Sequence, residues 1–271
     1  MPESAPGRFA SATAVRREND ARYSATLAEG WDIAGNANGG YLLATLARAL
    51  RDASGKPDAV SVTAHYLSPG KPGPVDIDAT VLKAGKTFTT VTGGMTRDDK
   101  MLLHATGTFG DLSSRATTVE RVEGAPPQLP PPDECVRVEG TSGFPPPMMN
   151  NIDLRMHPDD VGFISGAPHG RAQVRGWFRL LDDEPLDSLG LLLAVDAFPP
   201  TAFNAALPVA WTPTVELTAH VRARPEGGWL RCEFTTRFVT GGFLEEDGVV
   251  WDDSDRLIAQ SRQLALLPRQ H

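Results

Sequence analysis

Short alternating stretches of apolar and polar residues recur along the chain, punctuated by Gly and Pro. In each half one apolar run breaks that period. Residues 22–27 alternate, and 60–67, 75–82, 87–96 and 101–109 follow as strand-like segments between turn residues. Between the first two lies Asn36-Ala37-Asn38-Gly39-Gly40, a turn offering an Asn cap, and then 41–50, rich in Leu and Ala. That run is apolar on nearly every side, which predicts a helix buried around most of its circumference. The order then returns. Residues 173–181 read as a strand, 189–198 as a helix stopped by Pro199-Pro200, and 215–220, 229–239, 248–251 and 257–266 as strands. One helix against a long antiparallel sheet, made twice, is an α+β arrangement.

The recurrence extends to the letters. VSVTAHYLSP at 60–69 is echoed by VELTAHVRARP at 215–225, so Thr63-Ala64-His65 becomes Thr218-Ala219-His220, a shift of 155. The same shift carries Leu102-Leu103 onto Leu257-Ile258, Phe109 onto Leu264 and Arg22-Tyr23 onto Trp177-Phe178. The chain is a duplication. It divides into an N-terminal repeat (1–110), a Pro-rich connector (111–170) and a C-terminal repeat (171–271). Proline lacks a backbone donor and does not serve central strands, so the connector, with APPQLPPP and FPPPMMNN, is expected along the surface. Met148, Met149 and Ile152 are its candidate anchors.

Composition narrows the function. A length of 271 with 41% hydrophobic residues suffices for one large domain or two half-sized ones. The net charge of −8 argues against nucleic acid as the main partner. The first 20 residues lack the apolar core of a signal peptide, and no apolar run approaches the roughly 20 residues of a membrane span. Cys135 and Cys232 have neither disulfide-framework nor zinc spacing, and read as reduced thiols of a cytoplasmic protein.

Three polar residues of the second half stand out. Asp196 sits in LGLLLAVDAF, an apolar segment near a predicted helix end, where the macrodipole disfavours a negative charge. Burial of an unpaired carboxylate costs several kcal/mol or forces protonation. The shift of 155 sets Tyr41 opposite Asp196, Ala59 opposite Thr214 and Thr108 opposite Gln263, so the first half lacks all three groups. A symmetric fold that keeps one of two equivalent sites would leave that asymmetry. Singly each has an ordinary reading: an Asp reaching solvent, a β-branched strand starter, an outward amide on an alternating strand. His65 and His220 occupy equivalent positions, which favours a structural role such as cross-strand pairing. His104, His157, His169 and His271 show no metal or triad spacing, and no G-x-S-x-G elbow, P-loop or dinucleotide fingerprint is present.

Several motifs in order carry a resemblance. Asn38-Gly39-Gly40-Tyr41 looks like the glycine pair that opens a hotdog helix. Tyr66-Leu67-Ser68-Pro69-Gly70 is similar to an FLRPG segment with Ser68 in place of the arginine, and Lys83-Ala84-Gly85-Lys86-Thr87-Phe88 to an R-x-G-x-x-F turn. Asp196-Ala197-Phe198-Pro199-Pro200, Trp211-Thr212-Pro213-Thr214 and Ala259-Gln260-Ser261-Arg262-Gln263 complete the set. The chain resembles the double-hotdog acyl-CoA thioesterases of the type II (TesB-like) group over nearly its whole length. The resemblance implies two tandem hotdog repeats sharing one continuous sheet, with both helices on one side. It implies Asp196 as general base, with Thr214 and Gln263 holding the hydrolytic water and Thr212 as a substitute for Thr214. Backbone N–H groups of Gly39 and Gly40 are the candidates for binding the substrate oxyanion. The acyl tail is expected between helix and sheet. The partner is acyl-CoA or a related acyl thioester, no metal or organic cofactor is implied, and sheet edges favour a homodimer or higher homo-oligomer. The alternative is a non-catalytic acyl-thioester binding protein, favoured by Ser68.

Overall fold

The alternating segments pair into one sheet. The computed structural model describes residues 6–114, 119–182 and 184–267, which leaves His271 outside the described residues. The first repeat runs α1 (Arg8–Ala12), β1 (Val15–Arg17), β2 (Arg22–Leu27), the small ribbon β3 (Asp32–Ile33) and β4 (Asn36–Ala37), α2 (Gly39–Ser54), β5 (Asp58–Tyr66), β6 (Gly73–Ala84), β7 (Thr89–Arg97) and β8 (Lys100–Gly110). It is followed by β9 (Val136–Arg137), β10 (Ile152–Met156), β11 (Gln173–Leu180), α3 (Ser188–Ala194), β12 (Thr214–Val221), β13 (Leu230–Thr235), β14 (Val239–Thr240), β15 (Phe243–Trp251) and β16 (Leu257–Leu266). Fourteen strands form one sheet in the order β1-β2-β6-β7-β8-β5-β12-β16-β15-β13-β11-β10-β9, with β14 on β15. This is the double-hotdog α+β arrangement.

The repeats meet at β5 and β12. There Thr63 lies directly opposite its own counterpart Thr218, with the two hydroxyls 2.9 Å apart. Equivalent residues facing each other across an antiparallel pair mark an approximate two-fold axis. Both strands carry an irregularity at the equivalent place, between Ala59 and Ser61 and between Thr214 and Glu216. Such bulges kink a strand and re-aim its side chains. The shift of 155 is not uniform. His65 pairs with His104, whereas His220 pairs with Gln260, one residue beyond a constant shift.

At the helices the shift changes more. Asn38 caps α2 by accepting from Tyr41 N–H at 2.9 Å, and Asp187 caps α3 by accepting from Leu189 and Gly190 N–H. The two caps are 149 positions apart, so Tyr41 is not the counterpart of Asp196. Its buried hydroxyl donates to Ala12 O and accepts from Ala28 N–H, each at 2.8 Å, a structural role of its own. The second helix is also shorter than its apolar run. It stops at Ala194, so Asp196 lies beyond its end in a turn. Pro199 disfavours helical backbone at Phe198, and the Asp196 carboxylate is held by α2 instead of facing solvent from the last turn of α3.

Between α2 and the sheet the space is filled. Tyr41, Leu43, Leu46 and Leu50 are fully buried there.

In the second repeat β15 begins at Phe243, earlier than its pattern suggests, because Gly241 and Gly242 both adopt left-handed backbone (φ 60° and 82°) and turn β14 into it. The Pro-rich segment also departs from the connector reading: β9 and β10 extend the sheet, β10 pairing with β11 from Ile152–Leu180 to Met156–Gly176. Met148, Met149 and Ile152 are buried. Asp153, itself buried, gathers Arg137, Arg155 and Arg179, and buried Asp160 accepts from Arg175 Nε at 2.9 Å. The sheet ends in strands of three and two residues carrying Arg16, Arg17 and Arg137, the short, charged kind of edge that discourages further pairing. Among the described residues no helix is long and apolar enough to cross a membrane.

Candidate active site

The second repeat places its carboxylate on the first repeat's helix. Asp196 Oδ2 accepts from Gly40 N–H at 2.7 Å and from Asn38 Nδ2 at 3.0 Å, while Asn38 Nδ2 also donates to the Asp196 carbonyl at 2.9 Å. Where an aspartate at its own helix end would oppose the dipole, this one sits at the N-terminus of α2, where the dipole favours it. Asn38 thus does two jobs. Its oxygen caps α2 and its amide ties the repeats together, and it is buried to 2% exposure.

Gly40 is required by the same contact. A Cβ there would come within 2.9 Å of Asp196 Cβ and of Leu192 O. Asp196 Oδ1 has no hydrogen bond among the described residues, and part of the side chain opens to a cleft. Desolvation pushes the carboxyl up to about 6, against the two hydrogen bonds from Gly40 and Asn38, which pull it down.

The cleft, about 280 Å³, brings the sequence-predicted residues together: Asp196, Thr214, Gln263 and Gly39 all line it. Gln263 Nε2 donates to Thr214 Oγ1 at 2.6 Å, joining β16 to the bulged start of β12. Thr212 lines the cleft too, but its hydroxyl donates to Ala210 O at 3.1 Å within its own loop. Gly40 does not line the cleft, and its N–H is committed to Asp196, so it is not available to a substrate oxygen. Gly39 N–H has no protein partner among the described residues, and Gly39 O accepts from the Tyr66 hydroxyl at 3.0 Å. Ser68 lines the cleft at the position where the resemblance calls for arginine, and among the described residues no basic side chain lines it.

Two lining residues escaped the sequence reading. Tyr66 supports Gly39 as above, and burial drives its phenol well above the ordinary range. Glu246 is a second buried carboxylate, 8% exposed, across the strand pair from Gln263. Its Oε2 accepts from Thr201 N–H at 2.9 Å. Desolvation raises it to about 7 against the Thr201 hydrogen bonds, and the Asp196 charge adds to the rise. The signal for Glu246 was its parity. Leu244, Glu246, Gly248 and Val250 share the inward face of β15, but a strand started at 248 hides that alternation.

The other end of the helix pair is closed. At the start of α3, Asp187 caps its own helix and pairs with Arg51 at 2.8 Å, while Asp58 is bound by Arg224.

Neither thiol belongs to the cleft. Cys232 is fully buried and burial raises its thiol far above its usual range, and Cys135 is raised by burial as well. If the hydrolysis that the resemblance implies takes place, a Cys232→Ser variant that still folds keeps it in full in a thiol-release assay, and complete loss would point to covalent catalysis.

The residues 27–110 match the family described as the acyl-CoA thioesterase N-terminal domain, and 132–267 match the acyl-CoA thioesterase C-terminal domain. Among solved structures, the chain is similar to a protein of Thermobifida fusca provisionally classed as a thioesterase II, at 34% identity and TM-score 0.88, over 98% of this chain and 99% of that one. A hot dog protein of Alicyclobacillus acidocaldarius shares the fold at 22% identity and TM-score 0.85, over 98% and 100% of the chains. An uncharacterized protein of Mycobacterium tuberculosis is 29% identical over 92% of this chain and 91% of its own length.

Proposed function

Because the chain belongs to the acyl-CoA thioesterase family, we propose that it hydrolyses an acyl-CoA to the free acid and CoA by a water held between Asp196, Thr214 and Gln263. The observation that carries this reading is the convergence of the three on one cleft from three separate elements, with Asp196 desolvated and its Oδ1 unengaged.

In this mechanism Asp196 Oδ1 takes a proton from the water as its oxygen attacks the thioester carbonyl. The Gln263 oxygen accepts the water's second hydrogen, one of its N–H groups donating to Thr214, and the Thr214 hydroxyl proton holds the water oxygen. Gly39 N–H, at the start of α2, is the donor left for the tetrahedral oxyanion. Collapse breaks the C–S bond, and the proton held by Asp196 passes to the leaving thiolate. Sum and charge balance without a metal or an organic cofactor.

A carboxylate near 6 is ionised at neutral pH yet basic enough to accept the proton, which suits it to this work. Gln263→Ala and Thr214→Val each weaken hydrolysis less than loss of Asp196, and the double variant loses less than the sum of the singles in free energy, because both side chains hold one water. Full additivity would mean that they act separately. A panel of acyl-CoAs assayed by release of free thiol tests the activity itself. Binding without turnover would give the non-catalytic reading, which Ser68 and the lack of basic lining favour, its place.

A further inference from the structure

We propose that Tyr66 is a positioning residue for the base: through the peptide group that joins Gly39 to Gly40, its hydroxyl holds the Asp196 carboxylate in its ionised form. This inference rests on the hydrolase reading of the cleft and adds a residue to it.

Tyr66 closes β5, and its hydroxyl donates to Gly39 O at 3.0 Å. Gly40 N–H, which donates to Asp196 Oδ2 at 2.7 Å, belongs to the same peptide group as that oxygen. In a trans peptide the C=O and N–H point in opposite directions, so phenol, peptide and carboxylate form one line of hydrogen bonds. Donation to the oxygen draws electron density toward it and makes the N–H a stronger donor. The ionised carboxylate gains more from that donor than the neutral acid does, because a hydrogen bond to a charged acceptor is roughly twice as strong as a neutral one. The hydroxyl therefore favours the ionised form and works against the burial that pushes the carboxyl up to about 6.

Packing fixes the line. A Cβ at Gly39 would come within 2.9 Å of Asp196 Oδ2 and 3.1 Å of the Tyr66 ring, so ring and carboxylate close on the same turn of α2. The Tyr66 proton is committed to Gly39 O, so the residue acts through the peptide and not on the substrate. The FLRPG segment that this strand end resembles begins with phenylalanine, and the hydroxyl is what Tyr66 adds at that place. Two other titratable groups bear on the line. Glu246 of β15 shares the cleft with Asp196, and the charge of Glu216 on β12 acts on the phenol. Burial first, and the two carboxylate charges after it, drive the phenol well above its ordinary range, so it remains a donor throughout the pH range of the reaction.

The test follows Asp196 directly in the full chain, labelled with ¹³C at the aspartate carboxyls so that Glu216 and Glu246 are silent. The Asp196 signal is the one lost in Asp196→Asn. Tyr66→Phe, which removes only the hydroxyl, raises its titration midpoint by up to about 0.7 of a pH unit, the size of a change of about 10–30% in a charge-assisted hydrogen bond. Tyr23→Phe, which removes a hydroxyl that donates to Asp52 at 2.8 Å, leaves the Asp196 midpoint in place. In single turnovers at saturating acyl-CoA, Tyr66→Phe is slower by up to about fivefold at pH 5 and nearly unchanged at pH 8, because only the ionised fraction of the base differs. A midpoint that stays or falls in Tyr66→Phe, one that rises equally in Tyr23→Phe, or a rate loss that is the same at every pH overturns the proposal. If wild type turns over no acyl-CoA, the hydrolase reading fails while the carboxyl titration still decides the relay: a rise specific to Tyr66→Phe supports it, and no rise overturns it.

Discussion

Asp196→Asn slows the chemical step by about 10²- to 10⁴-fold. The amide keeps the size of the side chain and an oxygen to accept from Gly40 N–H and Asn38, but it takes no proton from water. Acyl-CoA binding therefore survives and the loss appears in kcat. In wild type, activity rises with pH through about 6 as the carboxylate ionises, and the variant's residual activity lacks that limb. Single-turnover rates between pH 5 and 8 check both. Because Glu246 shares the cleft, the apparent value belongs to the pair.

Glu246→Gln stabilises the protein above pH 8 by up to on the order of 3 kcal/mol, the free energy that a displacement from 4.5 to about 7 represents. The sign follows from which state holds the proton. A raised folded-state value means that folding takes up a proton between about 4.5 and 7, so stability is greatest below that window and declines as pH rises through it. Glutamine is neutral throughout and accepts from Thr201 N–H as the acid does. The gain is full in base and vanishes near pH 4. Urea unfolding at several pH values measures it, and a pH-independent difference would mean that the group is not buried ionisable.

Much of this was open to reading from the letters. Repeated strand patterns and the shift from Thr63 to Thr218 expose the duplication because side-chain alternation and local sequence survive when two copies keep the same sheet. Thr214 and Gln263 were within reach because their strands keep nearly that shift. The helices were harder. Caps 149 apart show that the loops before them changed length, which no count from the strands reveals, and so Tyr41 was mismatched to Asp196. Asp196 looked wrongly placed at the end of its own helix. Its partner is the start of another helix, 156 residues earlier in the chain at Gly40. That contact also removes Gly40 as an oxyanion donor, a competition between ligands that spacing alone does not express. Strands β9 and β10 were masked by neighbouring prolines, which bound short edge strands without entering them.

The central claim is that water, activated by Asp196, attacks the thioester directly. A single turnover with enzyme in excess over acyl-CoA in ¹⁸O-water tests it. Direct attack puts one ¹⁸O into the carboxylic acid released in that first turnover and leaves Asp196 unlabelled. An unlabelled acid with ¹⁸O in the Asp196 side chain would show that the carboxylate attacks as a nucleophile through an anhydride, and would contradict the account.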